Sequence, residues 1–186
     1  ELAALHIPRA RLAAKIEALA DGGLGPRGQD RVEFLFSANP GEPLAPLTKV
    51  ASGGELSRVL LALKGVLATG DHVTTYVFDE VDAGVGGAVA ETVGRLMKQL
   101  GRDRQVLAVT HLPQVAACAD HHFVVAKRPE SGRVRSDITS VAGEARVAEV
   151  ARMLGGERLS GTSLAHAQEM LSVGATASPV RKGRKA

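Results

Sequence analysis

The chain has 186 residues and a formal net charge of +3, with 45% hydrophobic residues but only four Phe, one Tyr and no Trp. That length is enough to bury a core, which must then be built from Ala, Leu and Val. No run of about 18 apolar residues occurs, which excludes a membrane-spanning helix; no cleavable signal pattern opens the chain; and a single cysteine, Cys118, excludes an internal disulfide and fits a reducing compartment.

Residues 11–18 alternate, with Leu12, Ala14 and Ile16 on one face, and predict a strand. The stretch DGGLGPRG at 21–28 is a turn-rich connection. Residues 31–37 place Val32, Phe34 and Phe36 on one side and predict the returning strand of a hairpin. A loop, NPGEPLAP at 39–46, leads to KVASGGELSR at 49–58, a glycine-rich turn running straight into an apolar helix over 56–67. Such a turn offers bare backbone N–H groups at the positive end of a helix, a seat for phosphate oxygens. Ser52 adds a hydroxyl, and Gly53 and Gly54 let another molecule approach the backbone closely. The plain alternative is an ordinary N-capped helix after a turn.

The β-rich segment Thr75–Phe78 predicts a strand buried on both faces, ending in Asp79 and Glu80. Ligands of open α/β sheets sit at the carboxyl ends of strands. One acid there can hold Mg²⁺, and a second can orient or deprotonate an attacking water. A solvated acidic turn is the plain alternative. Residues 87–100 predict a helix, with Val89, Val93, Leu96 and Leu100 at helical spacing. A further buried strand, from Gln105, ends in Thr110 and His111. If the two strands are neighbours, His111 can donate a hydrogen bond to a phosphate oxygen or to the water.

Residues 112–119 predict a helix with Pro113 in its first turn, where a missing N–H costs nothing, and with Cys118 as a small buried apolar residue. Residues 122–127 and 133–141 suit a strand pair; the adjacent His121 and His122 have no cysteine or acid at metal-ligand spacing. Residues 144–154 and 163–171 read as closing helices, with Met153, Leu154 and Met170 in the core. From Val173 the chain turns to Ser, Ala, Gly and charge, and disorder is expected. Four of the 23 basic residues are Arg181, Lys182, Arg184 and Lys185, so the other 19 stand against 20 acidic ones and the body is nearly neutral. The tail is a solubilising end or a non-specific contact to DNA phosphates.

The order of glycine-rich turn and helix, strand with Asp-Glu, helix, strand with His resembles the second half of an ABC-type ATPase head. More narrowly, VEFLFSANPGEPLAPLTKVASGGELSR, FDEVDAGVGGAVAETVGRL and VLAVTHLPQVAACADHHF resemble the C-terminal head segment of the RecN family of bacterial SMC-like DNA-repair ATPases, across about residues 8–171. The resemblance implies an α/β fold, the C-terminal lobe of an ABC/SMC-type head, with a mostly parallel sheet, flanking helices and an antiparallel hairpin. It divides the chain into the end of a coiled-coil arm (1–8), the head half (9–172) and a basic tail (173–186). It implies that ASGGE at 51–55 is the signature motif, so that Ser52, Gly53, Gly54 and Glu55 contact ATP held by a second head. It further implies that Asp79 binds Mg²⁺, that Glu80 is catalytic, and that His111 steadies the γ-phosphate. The implied partners are a second head of a homodimer and DNA ends recognised largely without regard to sequence. The implied setting is the cytoplasm and nucleoid, with no membrane.

The chain departs from that pattern in three places. No G-x-x-x-x-G-K-[ST] occurs, so the lysine and backbone cradle for the β- and γ-phosphates must come from an N-terminal head segment carrying the Walker A loop. Alone, the chain is expected neither to bind ATP well nor to hydrolyse it. Gly86 stands six residues after Glu80, where many ABC ATPases carry an Asp, and Asp82 lies four residues earlier. Ala51 stands where many relatives have Leu. Two other readings remain: a non-hydrolytic DNA-tethering module of an SMC-like or ABC protein, and a transporter-associated ABC subunit. The hairpin before the signature and the missing Asp argue against transport.

Overall fold

The structure, a computed structural model, describes residues 2–3, 5, 7–26, 28–49, 53–67, 72–130, 133–156 and 159–176. The expectations for Ala51, Ser52 and the basic tail from 177 onward lie outside these residues, as does the side chain of Glu55.

Strands β1 (Arg11–Ala18) and β2 (Asp30–Ser37) form the expected antiparallel hairpin, which β3 (Ala45–Pro46) extends along β2. Its register sets Leu12, Ala14 and Ile16 opposite Phe36, Phe34 and Val32, so the alternating apolar residues share one face. Helix α1 (Gly53–Leu67) follows, then β4 (Thr75–Phe78), α2 (Gly87–Leu100), β5 (Gln105–Ala108) and α3 (Pro113–Cys118). Strands β4 and β5 pair in parallel, from Thr75↔Gln105 to Phe78↔Ala108. A second hairpin, β6 (His122–Glu130) with β7 (Arg133–Val141), precedes α4 (Gly143–Gly155) and α5 (Gly161–Ala175).

The main core lies where α1 and α2 cover one face of β4–β5. Leu61 of α1, Tyr76 and Phe78 of β4, and Val93, Leu96 and Leu100 of α2 meet there. Each fully buried Leu or Val contributes about 1.5–3 kcal/mol against exposure. Val59, two residues earlier and so on the opposite side of α1, packs instead with Ile7 and Phe36, and so ties the first hairpin to the same helix. Helices α4 and α5 pack on each other through Val150, Ala151 and Ala167. Ser160 caps α5 in a capping box with Ser163, worth about 1 kcal/mol. Near its other end Gly174 lies so close to α3 that any side chain would collide with the Ala117 carbonyl.

Two expectations need correction. Strand β4 is not buried on both faces: Tyr76 and Phe78 are covered, while Val77 is 69% exposed. The same open face carries Leu107, the register partner of Val77, at 47% exposure and Val109 at 63%. At the N-terminal end Leu5 and Ile7 are buried in the two clusters around α1. Helix α5 continues through Val173 to Ala175, past the point where the tail was expected to begin. Among the described residues no helix is long and apolar enough to cross a membrane.

Candidate functional site

Parallel pairing of β4 and β5 sends both chains out at the same edge, since Val109 N donates to Phe78 O at 3.0 Å just beyond the last strand pair. Asp79 and Glu80 leave β4 there, and Thr110 and His111 leave β5. Asp79, Glu80 and His111 are all exposed, His111 with 73% of its side chain. Glu80 is the one described non-glycine residue with positive φ, at 55°. A left-handed backbone at such a residue costs about 1–3 kcal/mol and persists only where its surroundings hold it.

The turn after β4 supplies that hold. Ala83 N donates to Glu80 O at 3.0 Å and Val85 N to Asp82 O at 3.3 Å, while Val81 is fully buried in the main core. Helix α1 grips the same turn from the other side. Ser57 Oγ donates to Asp79 O at 3.2 Å, and Arg58, only 8% exposed, donates from Nη1 to Ala83 O at 2.8 Å. Gly54 sits against Ala83 so closely that only a missing side chain allows the approach. The first turn of the apolar helix and the acidic strand end are thus one packed unit.

Asp82 is 2% exposed. Its Oδ2 accepts from Thr110 Oγ1 at 2.5 Å and from His111 N at 3.2 Å, with His111 Nδ1 3.4 Å away. The structure therefore gathers Asp79, Glu80 and His111 at one sheet edge, with Gly53 and Gly54 opening the helix packed on it. Sequence reasoning named Thr110 and Asp82 without giving either this role, and gave none to Ser57 or Arg58. The signal for Asp82 was present in the run FDEVD, but nothing local marks that one of three acids turns inward.

The resolved titration shifts lie away from this edge. Burial, then the Arg146 guanidinium, holds the His122 imidazole below its ordinary range, partly offset by Glu149. Burial pushes the Cys118 thiol up, so it stays a protonated apolar packing group. A cleft of about 370 Å³ between α2, α3 and α5 includes Glu91, Arg95, Cys118 and His166 and none of residues 79–82 or 109–111. Among the described residues no cluster of three or more His, Cys, Asp or Glu side chains could hold a metal by itself.

No family model matches the chain. It is 50% identical over 165 residues to the DNA repair protein RecN of Treponema pallidum, covering 89% of this chain and 29% of that protein. It is 49% identical over 181 residues to RecN of Streptomyces coelicolor (92% of this chain, 32% of that one) and 54% over 156 residues to RecN of Mycobacterium leprae (82% and 26%). The chain spans about a third or less of the length of these relatives. An Smc head domain with a coiled coil and joint from Pyrococcus yayanosii superposes with a TM-score of 0.54 at 22% identity, covering 80% of this chain and 26% of that one. An Smc head domain from Pyrococcus furiosus, bound to the C-terminal domain of ScpA, gives 0.50 at 21% identity, covering 75% and 32%. The fold is that of an SMC head.

Proposed function

From a chain that matches a C-terminal portion of the RecN proteins and has the SMC head fold, we propose half of an ATP-binding and ATP-hydrolysing head, acting in DNA double-strand break repair. The observation that carries this reading is the parallel pairing of β4 and β5, which brings Asp79, Glu80 and His111 to one edge. In this reading Glu80 orients the attacking water and His111 steadies the γ-phosphate. Ser52, Gly53, Gly54 and Glu55 form the signature turn, which caps the nucleotide of a second head.

The donor chemistry at the edge fits Mg²⁺ of the kind that arrives on a nucleotide. Such an ion keeps several waters and takes one or two carboxylates beside the phosphates rather than a protein cage. Asp79 is exposed where it can offer that carboxylate, and no preformed cage is needed. Bound there, the ion would neutralise charge on the phosphates. The remaining catalytic work falls to Glu80 as base, His111 as donor, and the α1 packing that holds the Glu80 turn in place.

A first partner follows from the open face of β4–β5. Val77, Leu107 and Val109 present apolar surface next to the reaction edge, and covering it with another segment would contribute roughly 25 cal/mol per Å². The segment with the Walker A loop, missing from this sequence, is the occupant we infer. A second head and DNA ends are the further partners, with the protein working in the cytoplasm on the nucleoid.

Reconstitution tests this. Mixed with a polypeptide carrying the family's Walker A segment, the chain should hydrolyse ATP with Mg²⁺, while either piece alone should not. Failure of every mixture, with both pieces folded and bound to each other, would argue for the non-hydrolytic tethering reading.

A further inference from the structure

A carboxylate taken out of water costs several kcal/mol unless its oxygens are bonded in place. Asp82 is such a group, 2% exposed in the turn that follows the acidic pair. Its partners come from the other strand, 28 and 29 residues away in sequence. Thr110 Oγ1 donates to Asp82 Oδ2 at 2.5 Å, and His111 donates its backbone N–H to the same oxygen at 3.2 Å. Thr110 Oγ1 in turn accepts from Leu112 N at 3.0 Å. The ring of His111 stands with Nδ1 3.4 Å from that oxygen. One buried oxygen therefore gathers the hydroxyl, backbone and ring of the residues that leave β5.

We propose that Asp82 is the positioning residue of the reaction edge. Through Thr110 and the His111 backbone it fixes where β5 ends, and through Nδ1 it fixes how the imidazole is turned. A carboxylate on one ring nitrogen sets the orientation of the ring and leaves the other nitrogen for the ligand. Here Nε2 is the nitrogen left for the nucleotide. Because Asp82 shares its turn with Glu80, whose carbonyl and that of Asp82 close the turn, the same contact also ties the base to the histidine. The inference rests on the role proposed above for His111 and adds the residue that places it.

The test is steady-state ATP hydrolysis in the complete head, Walker A segment included, with thermal melting of every variant. The variants are His111→Ala, Asp82→Asn, Thr110→Val, Thr110→Ser and the double variant Asp82→Asn with His111→Ala. We expect Asp82→Asn to lower kcat about tenfold or more with KM for ATP within about threefold, the pattern of a lost transition-state interaction. Thr110→Ser should stay near wild type while Thr110→Val, which keeps the shape and loses the hydroxyl, falls in kcat. In the His111→Ala background Asp82→Asn should cost less than about twofold more, because residues acting as one unit are not additive.

Full multiplication of the two losses would overturn the proposal, as would equal rates for Thr110→Val and Thr110→Ser. If Asp82→Asn fails to fold, the two Thr110 variants and their combination with His111→Ala decide the matter in the same way. A slow His111→Ala beside an unimpaired Asp82→Asn overturns the anchoring alone. A wild-type rate in His111→Ala overturns the role of His111 and the anchoring with it.

Discussion

Gly54 faces Ala83 across the joint between α1 and the turn after β4: a Cβ at Gly54 would fall 2.9 Å from both the Ala83 Cβ and the Ala83 carbonyl oxygen, and 3.2 Å from Glu80 O. The glycine-rich turn and the acidic strand end are therefore in contact within one chain. If the first engages a neighbour's nucleotide and the second acts on this head's own, the contact couples two sites.

Gly54→Ala must push this joint apart, since the colliding atoms include backbone. We expect a loss of about 1–3 kcal/mol in denaturant unfolding, the range for overpacking a close contact. Hydrolysis in the complete head should fall as well, because the Glu80 turn moves. Ala83→Gly placed on top should recover part of both. A Gly54→Ala protein with unchanged stability and rate would mean that the joint yields freely and constrains nothing.

The signature turn itself is tested at Ser52. An arginine there would place bulk and charge where a second head's nucleotide should dock. We expect Ser52→Arg to abolish ATP-driven pairing of heads, measured by sedimentation, while ATP binding to a single complete head stays largely intact. Loss of binding with pairing preserved would contradict the action of Ser52 on a neighbouring head.

His122 gives a pH dependence of stability. Its Nδ1 is buried with no hydrogen-bond partner, and burial followed by Arg146 holds the imidazole below its ordinary 6.5. The unfolded chain takes up a proton near pH 6.5 where the folded chain does not, so acid favours unfolding. The loss begins as pH falls through that value and levels off once the folded imidazole is also protonated. We expect His122→Asn to flatten the fall in unfolding free energy between about pH 7 and about pH 5 relative to wild type. An identical slope in both proteins would assign the acid sensitivity elsewhere.

Much of the local architecture is legible in the chain. Helix α2 could be placed from Val89, Val93, Leu96 and Leu100, and these residues do point into the core. The alternation of Leu12, Ala14 and Ile16 against Val32, Phe34 and Phe36 gave the first hairpin, and the register pairs those residues. What could not be read was which face of β4 is covered. A strand of Thr, Tyr, Val and Phe has the composition of one buried on both sides, and composition cannot say which side the fold leaves open.

At the site, the gathering of Asp79, Glu80 and His111 followed from recognising two strands that end in polar residues. The hold on them did not. Asp82 looks like its acidic neighbours along the chain, and only folding brings it to Thr110 and His111.

The most direct measurement is ATP turnover by the complete head carrying Glu80→Gln, with nucleotide binding and head pairing followed in the same samples. We expect binding and pairing to persist while hydrolysis falls about 10²-fold or more, the scale of a positioned general base. Turnover at the wild-type rate would contradict the assignment of Glu80 and leave the paired edge of β4 and β5 without its hydrolytic role.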